Sequence, residues 1–137
     1  MNATQQAAEV AAIDTVHETR FVEMVFPEQA NHYGTLYGGN ALALLGKSAF
    51  VTASRYARCA VVMARSERIE FENPVQVGQL LEIVGRVVRV GRSSMTVEVT
   101  GIAESLLNGA RTTALRGQFD MVAVGSDGRP VPIRQAS

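Results

Sequence analysis

The sequence predicts an α+β fold, a single domain in which one antiparallel β-sheet curls around one long central helix. The first reason is size, since 137 residues with 47% hydrophobic and 19% charged content fit one compact domain with a core. The second is a proline-free stretch, residues 40–57, which carries apolar residues on every face of a helix. The third is that apolar residues recur with period two in the segments that follow.

The first two elements are a strand and the helix. The segment TVHETRFVEMVF reads as a strand that stops at Pro27. Residues 40–57 predict a helix that is buried on most sides. Gly46 and Lys47 interrupt its apolar run, which is shorter than the roughly 18 to 20 residues that span a bilayer, so the helix is predicted to lie in the core.

Four strands are predicted after the helix. The clearest is SMTVEVTG, where Met95, Val97 and Val99 fall on one face and polar residues on the other, which is typical of a half-buried strand. LRGQFDMVAV alternates in the same way, whereas QLLEIVGRVVRV is apolar on both faces. The segment VVRVGRSSMTV predicts a hairpin, and SDGRP predicts a late turn.

The ends of the chain are predicted to lie outside this domain. Residues 1–15 are rich in alanine and polar side chains and predict a flexible leader, residues 16–134 form the domain, and residues 135–137 are a short tail. A secretory signal peptide has a basic segment followed by a long apolar one, and the beginning of the chain does not show this pattern. A cytoplasmic protein is therefore expected.

Charge and cysteine content exclude several functions. Thirteen Lys and Arg residues balance thirteen Asp and Glu residues without a basic block, which argues against a general nucleic-acid binder. Cys59 is the single cysteine, so neither an internal disulfide nor a cysteine zinc site is expected, and no metal site is predicted.

Four segments, taken in order, carry a family resemblance: FPEQANHYGTLYGGNAL, ERIEFENPVQVGQLLEI, VGRSSMTVEV and FDMVAVGSDGRPVPI. From about residue 16 to residue 134 the chain resembles the hotdog-fold acyl-CoA thioesterases, in particular the short cytosolic acyl-CoA hydrolases. The resemblance implies hydrolysis of acyl-CoA at a dimer interface, sheets joined edge to edge, and assembly often continued to hexamers. It implies no cofactor, because coenzyme A enters as part of the substrate.

The same resemblance implies a catalytic turn. Asn31 occupies the position of the family's catalytic asparagine, whose amide can hold the water or the carbonyl; outside this motif it would be an ordinary turn-former. Gly38 and Gly39 would bring backbone N–H donors at a helix N-terminus close to the developing oxyanion. His17 and His32 are interpreted as ordinary, partly exposed side chains.

One catalytic group of the family is missing. Where its members usually carry a helix aspartate, seven residues after Gly39, this chain has Gly46. Period two places Glu67 on the face of Ile69 and Phe71, and therefore toward the helix, which makes it a candidate substitute or else a structural partner of backbone or arginine groups. Arg92, Ser93 and Ser94 form either a donor cluster for a CoA phosphate or a plain solvated hairpin turn.

Three functions stay open from sequence. The first is an acyl-CoA thioesterase acting in fatty-acid metabolism through Asn31, the Gly38–Gly39 turn and Glu67. The second is a non-hydrolytic acyl-CoA-binding protein that kept the fold and lost the acid. The third is a subunit whose paralogue supplies the aspartate across the interface. Fold alone does not decide between them.

Overall fold

The predicted architecture is confirmed by a computed structural model, which describes residues 17–133. The chain forms β1 (Glu18–Met24), a 3₁₀ turn (Pro27–Gln29), α1 (Gly38–Ala57), β2 (Val61–Phe71), β3 (Leu80–Val90), β4 (Ser94–Glu104) and β5 (Arg111–Ala123). The leader and the tail predicted for residues 1–15 and 135–137 lie outside the described residues. No helix within the described range is long and apolar enough to cross a bilayer.

The five strands form one antiparallel sheet in the order β1-β3-β4-β5-β2. The alternation that predicted the strands decides which residues face the helix. Met95, Val97 and Val99 of β4 are buried, as expected from their spacing. On β5 the buried residues are again every second one, including Phe119 and Met121. The helix therefore lies on one face of the sheet. The other face carries polar and charged side chains together with exposed valines such as Val22 and Val62.

The helix packs tightly against β3, where Gly85 faces two helix hydroxyls. A methyl group built on Gly85 would lie 2.5 Å from Oγ1 of Thr52 and 2.8 Å from Oγ of Ser48. Thr52 donates its hydroxyl proton to the Ser48 carbonyl oxygen at 2.7 Å, and both side chains are fully buried. Within residues 17–133 the Ser48 hydroxyl has no hydrogen-bond partner. Glycine is thus required at this position by close packing.

We expect Gly85→Ala to destabilise the protein by about 1–3 kcal/mol, because the added methyl group overpacks the helix–sheet contact. Urea unfolding at one fixed protein concentration measures the effect. Adding Thr52→Ala removes the nearer hydroxyl and should recover part of the loss. Equal stability of Gly85→Ala and the unmodified protein would show that the helix can shift without penalty.

The prediction that the helix is buried on most sides is wrong for a single chain. Its sheet-facing side is buried, whereas Leu42 and Phe50 on the opposite side are 44% and 49% exposed. Lys47 lies on the same exposed side, and Gly46 is partly exposed beside it. Apolar residues do occur on both sides of the helix, as the sequence pattern indicates, but within one chain only the sheet covers them, and it covers only one side. The uncovered side is a surface that a partner can bury.

Candidate functional site

The loop before the helix is folded around the side chain of Asn31. Its Oδ1 accepts three hydrogen bonds, from Tyr33 N at 2.9 Å, Thr35 N at 3.2 Å and Thr35 Oγ1 at 3.2 Å. The Asn31 backbone N–H donates to the Thr35 carbonyl at 2.8 Å. Gly34 makes the loop possible, because its φ of +79° is favourable only for glycine. Asn31 is therefore a turn-former, and its catalytic role stays a prediction of the sequence.

The helix begins at the two adjacent glycines. Gly38 and Gly39 are its first residues, Tyr37 is the N-cap, and no side chain caps the helix. The first intrahelical bond runs from Ala41 N to Tyr37 O at 2.9 Å. The N–H groups of Gly38, Gly39 and Asn40 have no acceptor among residues 17–133, so they are available to a ligand.

The two glycines serve different purposes. A methyl group built on Gly38 would have no neighbour within 4 Å, so the space beside its Cα is open. One built on Gly39 would lie 2.6 Å from the ring of Tyr37, so Gly39 gives room for that ring. The sequence could not separate the two positions. Gly38 is the residue that leaves space for an incoming carbonyl.

An apolar cavity opens at Gly38. Its volume is about 220 Å³, and its walls include Leu36, Ala41, Val75 and Leu115. Phe71, at the end of β2, also lines it and is 53% exposed in the single chain. Few polar groups face this space, so it suits a hydrocarbon group whose polar end lies at the helix N-terminus. Sequence reasoning did not locate this cavity, because its walls come from three stretches that are far apart in the sequence.

Gly46 lies two helical turns beyond Gly38, on the exposed side of the helix. A methyl group built there would contact only the Met63 methyl carbon of β2, at the ordinary distance of 3.5 Å. The position thus has room for a larger side chain within a single chain. From Gly38 to Ala57 the helix contains no aspartate or glutamate, so it presents no carboxylate.

The prediction that Glu67 faces the helix is wrong. Glu67 lies opposite Gln118, and directly paired residues point to the same face of a sheet. Gln118 faces away from the helix, because its neighbour Phe119 is buried beneath it. A β-bulge follows Glu67, with Arg68 at a φ of +54°, and this extra residue inverts the alternation that Ile69 and Phe71 suggested.

The surroundings of Glu67 are those of a surface ion pair. Its carboxylate is 3.6 Å from Arg65, whose guanidinium also binds Asp120 at 2.8 Å. Asp120 accepts a hydrogen bond from Thr96 Oγ1 at 2.8 Å, and that bond together with Arg65 lowers the pKa of Asp120 below its ordinary value. The Glu67 side chain is 41% exposed. This cluster lies on the side of the sheet away from the cavity, so Glu67 has no place beside Asn31 in the same chain.

Arg92 and Ser93 lie in the tight turn between β3 and β4, and Ser94 is the first residue of β4. Backbone bonds hold the turn, from Gly91 N to Ser94 O at 2.7 Å and from Ala123 N to Ser93 O at 2.8 Å. Arg92 is exposed, and no carboxylate among the described residues pairs with it. A fixed backbone that presents an unpaired guanidinium can bind a phosphate group.

The two halves of the candidate site lie at opposite ends of the sheet. The helix N-terminus lies beside Leu115 and Phe71, whereas Ser94 pairs with Val122 at the other end. Seven residues of β5 separate Leu115 from Val122, which corresponds to about 23 Å. Asn31 and Arg92 of one chain are therefore not brought together.

The chain resembles proteins of one kind in sequence and in structure. The profile of the thioesterase superfamily matches residues 33–110. An uncharacterized acyl-CoA thioester hydrolase of Zymomonas mobilis is 34% identical over 110 residues, which cover 80% of this chain and 74% of that protein. A hexameric acyl-CoA thioesterase, solved in its apo form, is 36% identical with a TM-score of 0.86, covering 90% of this chain and 79% of the other.

The chain is also similar in fold to an acyl-CoA hydrolase of Staphylococcus aureus, solved with butyryl coenzyme A and coenzyme A. It is 28% identical with a TM-score of 0.83, covering 90% of this chain and 75% of the other. Alanine variants of that enzyme have been solved at an asparagine and at an aspartate fifteen positions later. The same spacing separates Asn31 from Gly46 here, in agreement with the position at which the sequence lacks its acid.

Proposed function

The chain belongs to the thioesterase superfamily, and from this premise we propose that it hydrolyses acyl-CoA thioesters to a carboxylic acid and coenzyme A. The observation that carries the proposal is the pair of unpaired N–H donors at Gly38 and Gly39, the first of which borders an apolar cavity. Thr35, a hydrogen-bond partner of Asn31, lines the same cavity. A thioester has the matching form, with an apolar acyl group and a carbonyl that becomes negatively charged when water attacks. No cofactor is needed for this reaction.

The donors act on the transition state. Attack by water places negative charge on the carbonyl oxygen, and N–H groups aimed at that oxygen stabilise the charge. The positive end of the α1 dipole favours the same charge. The acyl group would lie in the cavity lined by Leu36, Ala41 and Leu115, with its carbonyl at Gly38.

We further propose that two copies of the chain pair through β2. This strand has β5 on one side and no strand on the other within residues 17–133, so its free edge can pair with another β2. Next to that edge lie the exposed apolar residues Met63, Leu42 and Phe50, which the second copy would cover. The result is a homodimer with one continuous sheet of ten strands.

Antiparallel pairing of two β2 strands would unite the separated half-sites. A two-fold axis places the Phe71 end of one β2 beside the Val61 end of the other. Gly38 lines the same cavity as Phe71, at one end of β2. Gly46 lies over Met63, near the Val61 end of the strand. Asn31 and Gly38 of one copy would therefore lie near Gly46 of the second. The β4 of the second copy would be three strand spacings from the first copy's β2, about 14 Å away. Arg92 of the second copy would bind the phosphates of the coenzyme.

Assembly beyond the dimer is proposed from a similar protein of known structure. A similar thioesterase is hexameric, so we propose that the homodimers join as a trimer of dimers. Sedimentation at micromolar concentration measures the size of the assembly. A species of 14.7 kDa alone, which is the monomer, would rule out the dimer with paired sheets. We also propose a cytoplasmic location, as the sequence predicts.

We expect Arg92→Ala to raise KM for acyl-CoA about tenfold with little change in kcat, because a phosphate contact is made equally in the ground state and the transition state. Steady-state kinetics of the purified protein measure both constants. Arg20→Ala is the matched control, since Arg20 is also exposed but is paired with Glu18 and Glu82 on β1 and β3. An unchanged KM for the Arg92 variant would remove this residue from the site.

Release of the coenzyme A thiol from a panel of short, medium and long acyl-CoAs tests the proposed reaction. We expect the purified, unmodified chain to hydrolyse at least one of these substrate classes. The absence of turnover for every member, by protein that still binds them, would reject hydrolysis.

The missing acid supports a second candidate, a non-hydrolytic acyl-CoA-binding protein. With Gly46 on the helix and Glu67 on the far side of the sheet, neither expected position presents a carboxylate to the cavity. A subunit that receives the aspartate from a paralogue fits the same observation. In both cases the pure chain would bind acyl-CoA without turning it over.

A further inference from the structure

We propose that Thr35 is a positioning residue for Asn31, and that it fixes the asparagine amide so that only its Nδ2 can reach the substrate. This inference rests on the proposed hydrolysis of a thioester at Gly38. It concerns whether the oxygen or the NH₂ group of the Asn31 amide contacts the substrate. Asparagine can use its oxygen to hold a water molecule or its NH₂ group to bind a carbonyl, and these roles require opposite orientations.

The hydrogen bonds identify the orientation. The N–H groups of Tyr33 and Thr35 point at the same Asn31 atom, at 2.9 and 3.2 Å. Backbone N–H groups can only donate, so that atom is the oxygen and not the nitrogen. Thr35 Oγ1 donates a third bond to it at 3.2 Å. Three donors occupy the acceptor capacity of one carbonyl oxygen.

The other end of the amide is unoccupied. Asn31 Nδ2 has no hydrogen-bond acceptor among residues 17–133, and the side chain is partly exposed. Asn31 can therefore donate to a ligand but has no lone pair left to receive a proton or to hold a water hydrogen. Its role in hydrolysis is to bind the thioester carbonyl together with the helix N–H groups. The base that activates water has to be a different group.

Thr35 links this amide to the rest of the site. Its carbonyl accepts from Asn31 N at 2.8 Å, so the two residues are bonded in both directions. Its backbone also forms a bridge to Gln76, outside the loop, and Thr35 itself lines the apolar cavity. The hydroxyl is thus held by a backbone that is fixed at two points. Losing the hydroxyl should loosen the Asn31 amide without removing the loop.

Substituting Thr35 with valine and with serine tests the proposal. Valine keeps the shape and removes the hydroxyl, so we expect kcat to fall about two- to tenfold with little change in KM. Serine keeps the hydroxyl and should retain kcat near that of the unmodified protein. Thr100→Val on the polar face of β4 is the control for the substitution itself.

A second readout does not depend on activity. In ¹⁵N NMR relaxation, the side-chain NH₂ group of Asn31 should be more mobile in Thr35→Val than in Thr35→Ser. An active protein whose kcat and Asn31 mobility are both unaffected by Thr35→Val would overturn the positioning role. An unmodified chain that hydrolyses no acyl-CoA would instead overturn the proposed function, and the NMR comparison would still decide the role of Thr35.

Discussion

Asn31→Asp is expected to lower kcat for acyl-CoA hydrolysis by about 100-fold or more, which is typical of removing one oxyanion donor. An aspartate oxygen can still accept from Tyr33 N, Thr35 N and Thr35 Oγ1, so the loop keeps its bonds. The NH₂ donor, however, is replaced by an oxygen that repels the developing charge. Saturating steady-state kinetics measure kcat, and urea unfolding checks that stability is retained.

Asn31→Ala is the matched comparison for this variant. Alanine removes the loop acceptor as well as the donor, so its unfolding free energy should fall below that of Asn31→Asp, while kcat falls at least as far. A kcat of Asn31→Asp within threefold of the unmodified protein would mean that the asparagine NH₂ group does not bind the reacting carbonyl.

Gly46→Asp is expected to raise kcat by about 100-fold, the lower end of what a well-placed general base contributes. The unmodified chain has N–H donors but no carboxylate on α1, so water activation should limit its rate. Stability should not suffer within one chain, because a side chain at this position meets only the Met63 methyl carbon at 3.5 Å. Glycine is also the poorer helix former. Thiol release under saturating acyl-CoA, with unfolding measured alongside, gives the answer.

Two controls separate charge from packing in this experiment. Gly46→Asn has nearly the same shape without the charge and should give no gain in kcat. Asn31→Ala in the Gly46→Asp background should abolish the gain, since both groups act on one thioester. If Gly46→Asp folds normally and gains nothing, the site has diverged by more than one residue, and non-hydrolytic binding becomes the better account.

Sequence patterns predicted the helix and the strands because each pattern arises from residues that are close together in the chain. Alternation along β4 correctly placed Met95, Val97 and Val99 in the core, and the proline-free apolar run located α1 to within two residues. The same rule failed for Glu67, because the bulge at Arg68 adds one residue and reverses the faces back to Arg65, where a second bulge restores them. Nothing in the sequence around Arg68 indicates the bulge, since neither glycine nor proline occurs there.

The candidate site was predictable in part. The resemblance named Asn31, Gly38 and Gly39 as candidates, but the bonds from Thr35 to Asn31 depend on loop geometry. The spacing NHYGT was the available signal, because asparagine two and four residues before backbone donors is typical of a side-chain-stabilised turn. The distance between Asn31 and Arg92 could not be predicted, because it depends on which ends of the strands adjoin.

Mixing two defective chains tests the central claim that the active site is shared between two copies. Asn31→Asp lacks the carbonyl donor, and Arg92→Ala lacks the phosphate contact. When the two chains are co-refolded in equal amounts, half of the dimers are mixed and each mixed dimer regains one intact site. A shared site therefore predicts a kcat/KM of about a quarter of the unmodified value, well above the mean of the two parent variants. A kcat/KM equal to that mean, with exchange of subunits verified, would place the whole site within one chain and contradict the account.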